Sequence, residues 1–116
     1  MTRITLSVLW QACALALFTV SYFSAPASAA DANLGRQKAM MACAVCHGPM
    51  GLASMPSAPH LAGQVPDYLA QQLKNYRSGK RAHEVMAVIA KQLTDDDIAN
   101  LAAWYSSIKI TVEPNP

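Results

Sequence analysis

Five consecutive residues constrain this chain more than any other feature: Cys43, Ala44, Val45, Cys46 and His47. On a helical turn, two residues between the cysteines place both sulfur atoms along one edge of a flat macrocycle, where two thioether bonds can form. The next residue, a histidine, then lies beneath the ring and can ligate an iron atom through its imidazole. The pattern therefore predicts a covalently attached c-type haem, and a fold that packs around it.

Three other uses of the cysteine pair compete with haem attachment. A structural zinc site needs four ligands, usually from two such pairs, and the third cysteine, Cys13, lies far away in an apolar N-terminal stretch. A thioredoxin-like redox pair belongs to alternating strands and helices, which this sequence does not show. A disulfide between Cys43 and Cys46 closes too small a loop to stabilise a fold much.

The first 30 residues predict an export signal. They contain a single charge, Arg3, followed by a mostly apolar run over residues 6–24 and the small-residue cleavage pattern Ala27-Ser28-Ala29. We expect residues 1–30 to be a signal peptide cleaved after Ala29 or Ala30. The alternative is a retained membrane anchor, which is disfavoured because the run is barely long enough to span a bilayer and Gln11 interrupts it.

The remaining chain is short and nearly neutral. From Asp31 onwards it holds all but one of the nine basic residues and all seven acidic ones, a formal charge of +1. No basic cluster indicates a nucleic-acid partner. A domain of roughly 86 residues buries only a marginal apolar core, and small exported domains usually compensate with a disulfide, a metal or a cofactor.

The pattern of caps and apolar spacing predicts an all-α domain. Asp31 or Asn33 caps a first helix over residues 31–46, and residues 48–64, rich in Gly, Pro and Ser, form an irregular loop. Pro66 opens a second helix that Gly79 ends. A shorter helix covers residues 84–92, and Thr94 caps a last helix that reaches Ser107. Residues 31–116 therefore form one domain, and its last four residues are a frayed tail.

Several segments resemble class I cytochromes c of the bacterial c553 and c4 kind. The resemblance implies a small cytochrome c fold in which the N- and C-terminal helices cross, wrapped around one covalent haem that is attached on the periplasmic side of the membrane. The matching segments are Met41-Ala42-Cys43-Ala44-Val45-Cys46-His47-Gly48, Pro59-His60-Leu61-Ala62-Gly63-Gln64, Tyr68-Leu69 with Gln72-Leu73, Tyr76-Arg77-Ser78-Gly79-Lys80-Arg81, Met86, Leu93-Thr94-Asp95-Asp96-Asp97-Ile98 and Leu101-Ala102-Ala103-Trp104-Tyr105.

The resemblance also implies the second axial ligand of the iron. The family places a methionine in the segment before the last helix, and Met86 stands there, seven residues before Leu93. Four other methionines follow residue 30. Met40 and Met41 lie on the helix that carries the cysteines, Met50 is too near His47, and Met55 precedes the proline stretch expected to pack beside His47. His83 is the rival, since it would give a bis-histidine iron of lower reduction potential.

Further residues are candidates for supporting the haem. In the family, the carbonyl that Pro59 would supply accepts the second ring N–H of His47, and Leu61 packs on the same face of the ring. The donors Gln64, Tyr76, Arg77 and Arg81 are candidates for holding the haem propionates. Each could equally be a solvated surface residue or a helix cap.

These observations favour a periplasmic one-electron carrier with His/Met axial ligation. Its partners would be a donor dehydrogenase or cytochrome complex and an acceptor oxidase or reductase, with no nucleic acid and no membrane span after cleavage. No separate acid, base and nucleophile are grouped in the sequence, so we expect no enzyme. The alternative is a haem c subunit of an exported dehydrogenase. A third hypothesis, a haem enzyme or gas sensor with five-coordinate iron, requires that Met86 not bind the iron.

Overall fold

A computed structural model describes residues 29–114, so the predicted signal peptide falls almost wholly outside the described residues. Five α-helices and no strand occur in this range, which confirms the all-α prediction. No helix within it is long and apolar enough to cross a membrane.

The first helical region is interrupted where the haem motif begins. Helix α1 covers Ala32–Ala42, and a single turn, α2, covers Ala44–His47. Asp31 caps α1, its Oδ1 accepting from the backbone N–H of Asn33 at 2.7 Å. The predicted uninterrupted helix over residues 31–46 is therefore wrong at Cys43, where φ is −119°. The chain recovers at once, because the N–H of His47 donates to the Cys43 carbonyl at 3.0 Å.

Residues 48–65 form an irregular loop, close to the loop predicted over residues 48–64, and its path depends on two glycines. Gly48 has φ of +75°, and a Cβ there would lie 2.0 Å from the Leu52 carbonyl oxygen. Gly51 is buried, and its carbonyl accepts from the N–H groups of Leu61 at 2.7 Å and Ala62 at 3.1 Å. The loop thereby doubles back on itself directly after His47.

Three further helices complete the domain: α3 (Pro66–Ser78), α4 (Glu84–Lys91) and α5 (Asp95–Ser107). Pro66 opens α3, and Gly79 ends it with a left-handed φ of +80°, as predicted. Thr94 and Asp97 form a reciprocal capping box at the start of α5, with both hydrogen bonds 3.0 Å long.

Helices α1 and α5 cross and form the main contact of the fold. Gly35 permits the crossing, because a Cβ there would lie 1.9 Å from the Asn100 carbonyl oxygen. The Nζ atom of Lys38 lies 3.1 Å from Oδ1 of Asp97, which adds an ion pair across the two helices. The buried core around the crossing consists of Ala39, Leu69, Leu93, Ile98, Leu101, Ala102 and Tyr105.

Candidate haem site

The two cysteines of the motif are free thiols: Cys43 stands at the helix interruption, and Cys46 lies in α2. The Cys43 side chain packs against the core, and burial raises the pKa of its thiol. The Tyr105 hydroxyl lies beside it, and burial likewise raises the pKa of this phenol. No group among residues 29–114 makes a well-formed hydrogen bond to the Tyr105 hydroxyl. The two sulfur-bearing residues therefore lie within one short stretch of chain directly before His47.

The His47 imidazole is buried, only 7% exposed, and its orientation is fixed. Its Nδ1 atom lies 2.9 Å from the carbonyl oxygen of Pro59. A carbonyl can only accept, so Nδ1 carries the ring proton and Nε2 keeps its lone pair. Such a contact fixes the tautomer and raises the basicity of a metal-binding histidine.

The loop is fastened to the short turn that carries Cys46. The Cys46 carbonyl accepts from the backbone N–H groups of Ser54 at 3.1 Å and Met55 at 3.3 Å. The Ser54 hydroxyl also donates to the Val45 carbonyl at 2.9 Å. These contacts hold the loop beside α2 and keep the Pro59 carbonyl in place for His47.

Met86 lies in the first turn of α4, half-buried. Its backbone N–H donates to Nδ1 of His83, 3.3 Å away, so His83 is the N-cap of this helix. Residue type does not predict this cap, because histidine is not among the residues that favour the N-cap. The only available signal was its position, directly before the first acidic residue of the helix.

The residues present fit a covalently bound haem. Two thiols, an imidazole with a free Nε2 and a thioether are the donor set that this cofactor requires. The core formed by residues 29–114 is small, since Ile98 and Leu101 are the largest side chains in this range that are almost fully buried. Several apolar side chains at the start of α3 and on α4 remain exposed: Val65, Tyr68, Val85 and Val88. A flat apolar group can remove surface of this kind from water.

The candidate propionate donors are placed in two different networks. Arg77 donates to the Leu93 carbonyl at 3.0 Å and to the Asp95 carboxylate. Arg81 donates to Gln72 at 2.8 Å and stacks on the Tyr76 ring, with its guanidinium carbon 4.7 Å from the ring centroid.

The other two supporting candidates lie close to the loop's end. Leu61 is half-buried against the core, and the side-chain oxygen of Gln64 accepts from the N–H of its neighbour Val65 at 2.9 Å. Pro59 is therefore the supporting candidate with a direct contact to His47, whereas Arg77 is committed to the joint between α3 and α5.

The profile of the family described as cytochrome c matches residues 32–109, which span α1 to α5. The chain belongs to the cytochrome c family. It is a class I c-type cytochrome, and the cofactor of this family is covalently bound haem c.

Sequence similarity to other cytochromes supports this membership. The chain is 42% identical over 77 residues to cytochrome c4 of Thiocapsa roseopersicina, covering 66% of this chain and 40% of that protein. It is also 42% identical over 82 residues to cytochrome c-554(548) of Halomonas halodenitrificans, covering 68% of this chain and 98% of the relative. The chain thus spans half or less of the length of the cytochrome c4 relatives that it matches.

A solved structure shares the fold. Superposition on the thiosulfate dehydrogenase TsdBA of Marichromatium purpuratum gives a TM-score of 0.64 at 37% identity. The match covers 67% of this chain and 19% of that polypeptide. The same fold therefore occurs both in a small cytochrome and as a minor part of a longer enzyme chain.

Proposed function

We propose that this protein is a one-electron carrier whose haem is held covalently by Cys43 and Cys46 and axially by His47 and Met86. The observation that carries the proposal is the buried His47, which follows two free thiols in the sequence. Its Nδ1 atom lies 2.9 Å from the Pro59 carbonyl oxygen. Haem c supplies a reversible one-electron iron couple when bound.

The chain's own residues set the properties of the carrier. The Pro59 carbonyl makes His47 a stronger electron donor, and the thioether of Met86 favours the reduced state relative to a second histidine. With His47 and Met86 as its two protein ligands, the iron would have no open site for a substrate. This arrangement favours electron transfer over bond-making chemistry.

Redox titration of the haem-loaded protein tests the proposal. We expect a single one-electron step, and no binding of carbon monoxide by the reduced protein at neutral pH. Rapid carbon monoxide binding by the wild-type protein would instead support the haem enzyme or gas sensor.

We propose that residues 1–30 export the chain to the periplasm and are then removed. In support, the capped helix begins directly after the predicted cut: Asp31 caps α1, and its backbone N–H donates to Oδ1 of Asn100 at 2.7 Å. N-terminal sequencing of protein from a periplasmic extract should start at Ala30 or Asp31. A chain that starts at Met1 and sediments with membranes would contradict this proposal.

The alternative, a haem subunit of an exported dehydrogenase, is favoured by one observation. The same fold forms a small part of a thiosulfate dehydrogenase polypeptide. Size-exclusion chromatography of a periplasmic extract, followed through the haem absorbance, separates the two functions. A free carrier elutes at the mass of one small chain, whereas a subunit elutes with a dehydrogenase.

A further inference from the structure

The His83 side chain makes a direct hydrogen bond with the backbone of Met86. It is the N-cap of α4, in extended backbone conformation, and its imidazole Nδ1 accepts the backbone N–H of Met86 at 3.3 Å. The His83 side chain thus holds the backbone of Met86, the residue whose thioether is proposed to bind the iron.

A second set of contacts holds the cap itself. The imidazole of His83 meets the Tyr76 ring edge-on, with centroids 6.1 Å apart and planes inclined by 79°. On the same tyrosine, the Arg81 guanidinium carbon lies 4.7 Å from the ring centroid, and Arg81 Nη1 donates to Gln72 Oε1 at 2.8 Å. Because Gln72 and Tyr76 belong to α3, these contacts tie the start of α4 to the neighbouring helix.

The backbone adds one more contact to this joint. The N–H of Arg81 donates to the Asn75 carbonyl at 3.1 Å, which fixes the short connection between α3 and α4. Three of the residues that the sequence suggested for the propionates or the iron, namely Tyr76, Arg81 and His83, therefore act on one another. Their common target is the first turn of α4.

We propose that His83 is a positioning residue for Met86: it caps α4, braced by Tyr76 and Arg81, and thereby holds the Met86 thioether at the haem iron. This inference rests on the proposed ligand role of Met86. Capping and ligation by His83 exclude each other. A neutral imidazole that accepts at Nδ1 carries its proton on Nε2, so Nε2 has no lone pair to offer the iron.

The test uses the covalently haem-loaded protein and two readouts that a general loss of stability does not reproduce. These are the weak far-red absorption band of oxidised, methionine-ligated haem, and the reduction potential. His83→Ala removes the cap, and we expect the fraction of iron without bound methionine to rise about fivefold, with a weaker band and a lower potential. His83→Asn keeps a capping oxygen and should restore both values.

Thr94→Ala is the matched control. It also removes a helix N-cap, but that of α5 rather than of α4, where Met86 lies; the Thr94 hydroxyl accepts from the Asp97 N–H at 3.0 Å. It should lower the unfolding midpoint and leave the band and the potential unchanged. The inference is overturned if His83→Ala leaves the band intact, if His83→Asn does not rescue it, or if Thr94→Ala weakens it equally.

Met86→Ala separates failure of this inference from failure of the ligand assignment. Loss of the band in Met86→Ala, with an intact band in His83→Ala, overturns the positioning role alone. A normal low-spin spectrum in Met86→Ala, together with its loss in both His83 variants, makes His83 the ligand and overturns both proposals.

Discussion

At the residue scale, the site divides into side chains that the motif identifies and side chains that only their contacts explain. The expectation for Cys43, Cys46 and His47 follows from spacing, because a C-x-x-C-H string is the attachment signature of c-type haem. The role of Arg77 does not follow from spacing. Its guanidinium makes it a candidate for binding a haem propionate, but it donates to the carbonyl of the buried Leu93 and to the carboxylate of Asp95, both distant in sequence. Only the packing of α3 against α5 brings them together.

Replacing Arg77 tests that structural role. Arg77→Gln leaves the Leu93 carbonyl without a charged donor, and we expect a loss of about 1–3 kcal/mol in the free energy of unfolding, measured with denaturant. The reduction potential should hardly change. Lys74→Gln, on the same helix, should alter neither. A marked shift in potential with unchanged stability would instead indicate that Arg77 serves a haem propionate.

At the element scale, the helices and their ends were largely predictable, whereas the joints between them were not. Pro66, Gly79 and Thr94 mark helix ends through local chemistry, and all three occupy the predicted positions. The interruption at Cys43 has no local signal, because alanine and methionine neighbours favour a continuous helix. Its cause is tertiary, since the Cys43 side chain packs against the core. The cap at His83 is likewise visible only in the folded chain.

The crossing of α1 and α5 gives a prediction in which two effects have opposite signs. Gly35→Ala should stabilise α1 by helix propensity, by up to about 1 kcal/mol. The new Cβ would, however, lie 1.9 Å from the Asn100 carbonyl oxygen, and relieving such overpacking costs about 1–3 kcal/mol or more. We therefore expect net destabilisation in a thermal or denaturant melt. Asn33→Ala, exposed on the same helix, is the control, and a more stable Gly35→Ala variant would contradict the close crossing.

The start of α5 gives a pH-dependent prediction. The backbone N–H of Thr94 and, less strongly, the Lys38 ammonium lower the pKa of Asp97 below its ordinary value. A lowered pKa in the folded state gives stability that is present above the unfolded value of about 3.9 and is lost as the pH falls through the folded pKa.

Asp97→Asn should therefore be less stable than the wild type at pH 6, by roughly 0.5–1 kcal/mol for a partly exposed pair. The difference should shrink as the pH falls below about 4. Unfolding curves at several pH values measure it, with Asp96→Asn as the control on the same turn. A stability difference that grows towards acidic pH would have the wrong sign.

At the scale of the whole molecule, the distribution of charge predicts how the carrier meets its partner. Residues 48–57 carry no charge, and within them Met50, Leu52 and Met55 are 47%, 56% and 43% exposed. This apolar loop lies beside the short turn that bears Cys46. A small, transient, apolar contact is typical of redox encounters. The alternative docking surface is the basic one formed by Lys74, Lys80 and Arg81.

Salt dependence separates the two surfaces. If the loop docks, the electron-transfer rate to a copurified partner should hardly change from low to high salt, because apolar contacts are not screened. Leu52→Asp should then slow the transfer, while the charge reversals Lys74→Glu and Lys80→Glu have little effect. A rate that falls steeply with salt, and that the charge reversals abolish, would place docking on the basic surface.

Covalent haem is the central claim for the molecule as a whole, and a denaturing gel stained for haem tests it most directly. For this test, the full sequence of 116 residues is expressed in a bacterium that attaches haem to c-type cytochromes. The wild-type band should stain, and Cys43→Ala or Cys46→Ala should retain at most one thioether and stain weakly. The double variant should not stain at all, and its small core should leave it poorly folded. Full covalent staining of the double Cys43→Ala, Cys46→Ala variant would contradict the account.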